Sequence, residues 1–228
     1  MLKEEEKKPD RWHRHGEAPV PVVSPDKKWE AYVKDNNLYI SPVRDEKEKD
    51  KPKEEIALTM DGTTNLRYDA WSIIWSPDSR KLATVKVRDV QERRIPLIES
   101  SPSSQKQPIL QWRDYAKPGD VLPVYLPVLF DVEARRQVAL DVAPYENQYY
   151  LNLTGWRKDS RAFTFEFNQR GHQRYVIGEV NAADGSIRHL VDEQTKTFIY
   201  YYNNFRYDLD DEKNCFGFPN GTDGVIFT

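Results

Sequence analysis

Residues able to do chemistry are concentrated in two places, His13-Arg14-His15 near the start and Asn168-Gln169-Arg170-Gly171-His172 in the second half. On an extended strand His13 and His15 would share one face, the spacing of a metal pair. No third ligand lies close to them in sequence, and a zinc site takes three or four protein ligands, so neither a metal nor a cofactor is expected. Arg170 and His172 sit in turn-forming sequence, placed either to meet a ligand or to satisfy loop carbonyls. His189 falls in a strand pattern, and Cys215 is the single cysteine, which excludes an internal disulfide and any multi-cysteine zinc site. Adjacent carboxylates at Glu54-Glu55 have the makings of an ammonium grip, but they border the short apolar run Ile56–Thr59 and read as strand-flanking charge. Asn152-Leu153-Thr154 fits the glycosylation acceptor pattern, which matters in a eukaryotic secretory setting alone. The aromatic run Phe198–Tyr202 reads as a packed strand rather than a binding platform.

The elements that would carry these residues are strands. Phe163, Phe165 and Phe167 alternate with Thr164 and Glu166, the period-two signature of a half-buried strand. Asn168–Gly171 supplies turn chemistry, because Asn and Gly tolerate the positive φ of a tight reversal. Further strands are expected over Gln173–Val180 and Ser186–Val191, separated by the Ala183-Asp184-Gly185 turn, with Thr197–Tyr202 as a fourth. Strands joined by short turns in chain order form an antiparallel meander, the unit of a β-propeller blade.

One local theme recurs three times. VVSPDKKWEAYV, IIWSPDSRKLATVKV and TGWRKDSRAFTFEF align on Asp26, Asp78 and Asp159, each followed two positions on by a basic residue and then by an apolar strand. Trp75 and Trp156 stand directly before the turn in two copies. Pro25 and Pro77 pre-set φ for a type I turn, and the aspartate side chain accepts hydrogen bonds from nearby backbone amides. The copies are 52 and 81 residues apart; the first interval is about one blade, the second a blade plus a long excursion. That excursion, Asp89–Pro144, holds Pro96, Pro102, Pro108, Pro118, Pro123 and Pro127, so edge strand or loop is expected for much of it. Ser41–Glu55 contains DEKEKDKPKEE, a solvated mixed-charge loop, and residues 1–22 read as a charged leader or part of a preceding blade.

Totals narrow the class. At 228 residues, with 12% aromatics against 31% charged residues, the chain has material for a sizeable core. Net charge is −3 and pI about 5.9, so no nucleic-acid surface is expected. No apolar run approaches the roughly 20 residues of a membrane span, and MLKEEEKKPDRWHRH lacks the apolar core of a secretory signal.

Asn168–Gln173 (NQRGHQ), Val180–Gly185 and Leu190–Phe198 (LVDEQTKTF) resemble the N-terminal propeller of dipeptidyl peptidase IV-type serine peptidases, members of the prolyl oligopeptidase group. The pattern IPLIE…Y-x-KPG-D-x-LP, from Ile95 to Pro123, resembles the long blade-crossing segment of the same propeller. The two matches cover about Pro21 to Lys213. The resemblance implies an all-β, incomplete propeller of about three to four antiparallel four-stranded blades over residues 23–213. It also implies a propeller that restricts entry to short peptides and lends side chains near the substrate's N-terminus, with Arg170 and His172 as substrate-proximal candidates. Members of the group are often periplasmic, secreted or membrane-anchored, and the resemblance leaves a homodimeric parent open.

Two departures stand out. The group's hydrolases need a Ser on a Gly-x-Ser-x-Gly elbow with Asp and His partners; no such elbow occurs here, none of the four histidines suits a triad, and no catalytic residue is assigned. The Glu-Glu pair with which such dipeptidyl peptidases hold the substrate amine should precede the WSPDS turn, where this chain has GTTNLRYDAWSII. After Lys213 the character changes abruptly to NCFGFPNGTDGVIFT. Codons can be chosen for Lys213–Thr228 such that the same DNA, read from the third base of the Lys213 codon, spells ELFWISERDGWSHLY. Relatives of the family continue with a motif close to WISERDGWNHLYL, so residues 214–228 are expected to be an out-of-frame tail. The leading expectation is therefore a non-catalytic propeller portion of a serine exopeptidase. A free-standing propeller scaffold of the TolB or WD-repeat kind, and a pseudo-peptidase regulator, are the alternatives.

Overall fold

The computed structural model describes residues 20–44, 54–91 and 93–200, together with the backbone of strands at 205–210, 213–217 and 226–227. His13, His15, most of the charged leader and the centre of the mixed-charge run lie outside the described residues.

The first sheet is a meander of β1 (Val22–Val23), β2 (Trp29–Lys34), β3 (Asn37–Pro42) and β4 (Ile56–Ala57), in that spatial order. A two-residue reversal joins β2 to β3, with Asp35 and Asn36 at φ 49° and 64°, the left-handed pair that a type I′ turn demands. The second sheet opens with β5 (Leu66–Tyr68) and β6 (Ile74–Trp75), which pair with different stretches of the same edge of β7 (Lys81–Arg88). The long excursion follows, as an isolated hairpin of β8 (Arg94–Glu99) and β9 (Ile109–Asp114). Then β10 (Val124–Asp131) and β11 (Arg136–Val138) complete the order β11-β10-β7-β5. After a single 3-10 turn at Ala143–Tyr145 comes the third sheet, β12 (Gln148–Trp156), β13 (Ala162–Gln169), β14 (Arg174–Asn181) and β15 (Ile187–Gln194), again in chain order. The backbones of β16 (Phe205–Asp210), β17 (Lys213–Gly217) and β18 (Ile226–Phe227) form a further three-stranded sheet. Of the tail read as out of frame, the strand segments of β17 and β18 are the part described.

The fold is thus an all-β partial propeller: three antiparallel blades in succession, the first and third of four strands and the second of five with β5 and β6 sharing one edge, and a further sheet after them. Two expectations change in detail. Thr197–Tyr202 is not the fourth strand of the third blade, since 195–200 has no strand conformation; β12 already supplies it from the N-terminal side, so the meander is full before Thr197. Tyr201 and Tyr202 lie outside the described residues. Pro127, expected at an edge or in a loop, sits in the interior strand β10 opposite Val85. It is tolerated because β11 reaches only Leu129–Asp131, so β10 has one neighbour at Pro127 and the imide nitrogen can face the open side.

Alternation along the strands builds the core between blades. On β7 Leu82 points into one cluster and Ala83 into the next; on β10 Val128 and Phe130 join the first, Leu129 the second. The first cluster joins Ala31, Leu38 and Ile40 to Tyr68, Trp75 and Phe130, closing the first blade onto the second. The second joins Ala83 and Leu129 to Phe163, Phe165, Phe167, Val176 and Val180, closing the second onto the third. Gly178 serves that packing, since a Cβ there would come 2.3 Å from the Phe165 ring.

Candidate functional site

The recurring aspartate turns lie at one end of the blades. Ser24 donates to Asp26 Oδ1 at 2.6 Å, and the same carboxylate oxygen accepts the Lys28 amide at 3.1 Å. Ser76, Asp78 and Arg80 repeat those bonds at 2.6 and 3.1 Å. At the third turn Asp159 Oδ1 accepts the Arg161 amide at 3.0 Å. The residue after each aspartate takes the left-handed conformation, Lys27, Ser79 and Ser160 having φ of 61°, 63° and 64°. That conformation aims two serine hydroxyls across to the neighbouring blade. Ser79 Oγ accepts the Asp26 amide and Ser160 Oγ accepts the Asp78 amide, each at 3.0 Å. The two tryptophans run alongside: Trp75 Nε1 donates to Val22 O at 2.9 Å and Trp156 Nε1 to Ile74 O at 3.3 Å. The turns therefore form a hydrogen-bonded ladder from blade to blade, which is architecture rather than chemistry.

Arg170 and His172 occupy the opposite end, in the reversal between β13 and β14. His172 has φ 57°, its amide donates to Gln169 O at 2.8 Å, and the Arg170 amide donates to Asn147 O at 3.1 Å, which ties the reversal to the start of β12. Because Asn168 Oδ1 can only accept, His172 Nδ1 is the donor in their 3.1 Å contact. The imidazole lies between Tyr149, ring centroids 4.6 Å apart, and Phe198, 5.1 Å apart. Burial holds it below the usual histidine range. Arg170 makes no side-chain hydrogen bond or ion pair among the described residues. Asn168 is 1% exposed, with its side chain beside the Tyr150 phenol.

On the same face of the third sheet, Tyr150 donates to Glu166 Oε1 at 2.6 Å and Tyr175 donates to that same oxygen. Burial first, then the Glu166 charge, push the Tyr150 phenol far above its ordinary range. Glu55 is engaged elsewhere, accepting from Tyr32 at 2.8 Å and from Lys34 at 2.6 Å. Where an amine-binding pair was sought before the WSPDS turn, Tyr68 donates to Asp61 Oδ1 at 2.9 Å, Lys86 pairs with Asp61, and Arg67 holds Asp89. Among the described residues no group of three His, Cys, Asp or Glu side chains could hold a metal ion. Among the described residues no helix is long and apolar enough to cross a membrane.

Sequence reasoning missed two polar networks. Arg157 and Glu179 form an ion pair at 2.7 Å with side chains 4% and 6% exposed. Tyr145 OH meets His189 Nε2 at 2.8 Å, His189 Nδ1 meets Asp192 at 3.0 Å, and Arg174 clamps Asp192 through two bonds at 2.9 and 2.8 Å. Apart from His189 and Asp192, three residues apart on β15, the partners come from separate elements, and nothing local in sequence pairs them.

A profile of the dipeptidyl peptidase IV N-terminal region family matches residues 2–225. Among solved structures the chain is similar to dipeptidyl peptidase 4 of Porphyromonas gingivalis, with a TM-score of 0.58 and 17% identity over 82% of this chain and 27% of that one. It is similar also to a protein assigned as a dipeptidyl aminopeptidase IV from Bacteroides ovatus, with a TM-score of 0.59 and 16% identity over 86% of this chain and 27% of that one. At those identities the two structures speak to fold alone, and the chain spans about a quarter of their length, 27%. A search of curated proteins found no match. With the profile running through all three blades, the chain belongs to the dipeptidyl peptidase IV N-terminal region family.

Proposed function

We propose that this chain is the non-catalytic propeller portion of a serine exopeptidase, admitting short peptides and contributing to recognition of their N-terminal end. Hydrolysis would belong to an α/β-hydrolase domain outside these 228 residues, cleaving through an acyl-serine intermediate. The reading rests on the family match, and the observation that localises it is the reversal at 168–172. There Arg170 and His172 share one reversal at the end of the blades away from the turn ladder, with the His172 imidazole hydrogen-bonded to the buried Asn168. Arg170 supplies a cation for a peptide carbonyl or carboxylate, and His172 with Tyr149 and Phe198 supplies an aromatic wall.

The test uses the complete peptidase that carries this propeller. Arg170→Ala and His172→Ala should each raise KM for a short peptide with a free amino end about tenfold, as expected for loss of one charge-assisted contact, while kcat holds. Unchanged KM in both variants would remove this reversal from the substrate path. A propeller that binds a partner protein but supports no peptidase activity in the complete protein would favour the scaffold reading instead.

A further inference from the structure

The connector from the second blade to the third runs through the 3-10 turn at Ala143–Tyr145, and hydrogen bonds tie it down on several sides. The buried Gln148 donates to Tyr145 O at 2.8 Å and to Tyr125 O at 3.0 Å, while its Oε1 accepts the Tyr125 amide at 2.9 Å, which fixes the connector to β10. Asn147 O in turn holds the Arg170 amide at 3.1 Å. The Tyr145 ring stands edge-on to Phe165 and Phe167, with centroids 4.9 and 5.4 Å away, in the core between the two blades. Its hydroxyl reaches across to His189 on β15 at 2.8 Å.

The groups behind that contact fix its direction. The Arg174 hydrogen bonds bring the Asp192 carboxyl down to about 2, so it is a carboxylate that can only accept, and His189 Nδ1 must carry the proton donated to it at 3.0 Å. A neutral imidazole has one N–H, so Nε2 is an acceptor and the Tyr145 hydroxyl is the donor. Protonating the ring places a second N–H on Nε2, and two donors then meet across 2.8 Å. The phenol does not give up its proton, because burial pushes it above its ordinary range. Tyr145 is 2% exposed, and among the described residues its hydroxyl bonds to His189 alone. A protonated His189 therefore leaves the phenol proton without an acceptor unless the connector moves.

From this we propose that the Tyr145–His189 contact is a proton-operated latch, closed while the imidazole is neutral and released when it is protonated, freeing the connector between the second and third blades. The charged groups around it are Asp192 on the same strand, Arg174 on β14 and, acting on the phenol from the connector, Asp141. Arg188, next along β15, is turned to Glu179. Arg174 already neutralises Asp192 through two bonds, so a proton on His189 adds charge to a balanced pair. Because the Arg170 amide hangs on Asn147, the latch bears on the reversal at 168–172 as well.

Hydrogen exchange read by mass spectrometry on the complete protein that carries this propeller tests the latch. Exchange over residues 143–150 is compared at about pH 7.5 and about pH 5.5, either side of the ordinary histidine range, after correction for the intrinsic rate. The unaltered protein is expected to exchange there about tenfold faster at the lower pH, the size of one lost hydrogen bond. Tyr145→Phe keeps the ring in the core and removes the hydroxyl, and His189→Gln removes the titrating group; in each the two pH values should give the same rate. His172 is a second histidine at this end of the blade, so His172→Gln is the control and should keep the full response. Equal rates at both pH values in the unaltered protein, or an undiminished response in either Tyr145→Phe or His189→Gln, overturns the proposal. Loss of the response in His172→Gln assigns the switch to that residue and overturns it too. Peptidase activity does not enter the readout, so the outcome is independent of the reading given to Arg170 and His172.

Discussion

Glu179 shows how a charge survives inside this fold. Burial alone would raise its carboxyl above the usual range, but hydrogen bonds from Arg157 and Arg188 outweigh that and hold it below. Glu179→Gln would remove a countercharge from the buried Arg157 guanidinium, at a cost of about 3 kcal/mol in chemical denaturation. Asp192 gives a pH signature. The Arg174 hydrogen bonds outweigh burial and bring its carboxyl from 3.8 to about 2. A carboxylate depressed on folding adds stability that is complete above its unfolded value and is lost as pH falls through the folded one. The melting temperature should therefore drop between about pH 4 and pH 2, and Asp192→Asn should flatten that part of the profile while lowering the plateau above it. Neither residue was legible in the sequence. Arg157 and Glu179 are 22 positions apart, and their meeting depends on the register that places Thr164 opposite Glu179. Asp26 and Asp78 were legible because their hydrogen bonds reach two residues along the chain.

At the scale of elements, the turn ladder makes a sharp demand on two hydroxyls. Ser79→Ala and Ser160→Ala each remove the acceptor of a neighbouring blade's backbone amide, and each should cost about 1 kcal/mol in urea unfolding. Ser24→Ala, which loosens a turn internally, serves as the comparison: if it alone destabilises, the blades are not coupled through their turns. The strands were read from alternation, and β13 and β14 fall within a residue or two of the expected spans. What alternation could not supply was the membership of each blade. Gln148–Trp156 lacks a clean period because bulges interrupt its pairing after Gln148 and after Leu153, and the missing inner strand was sought on the wrong side, at Thr197. Pro127 misled for a related reason, since proline excludes a strand only where both neighbours need its N–H. Among the described residues the β8–β9 hairpin pairs with no blade, and it exposes Ile98, Leu110 and Trp112; an isolated two-stranded ribbon is marginal in water.

For the molecule as a whole, two inter-blade cores are filled and the far face of the third blade is different in kind. It presents Tyr175, Ile177, Val191 and Ile199 beside a buried Glu193 oxygen that has no hydrogen-bond partner among the described residues. Open edges and a half-polar face are an aggregation hazard. These 228 residues expressed alone are therefore expected to self-associate and to melt over a broad range; a soluble monomer with one sharp calorimetric transition would contradict that. The central claim is that successive blades stand in a ring portion whose 168–172 end, and not its turn-ladder end, faces a hydrolase. A crystal structure of the complete protein tests it most directly. The account predicts the three blades adjacent in chain order, Asp26 and Asp78 amides bonded to Ser79 and Ser160, and Arg170 turned toward the hydrolase domain. Blades sealed into a separate closed barrel, or the Asp26–Asp78–Asp159 end facing the hydrolase, would contradict it.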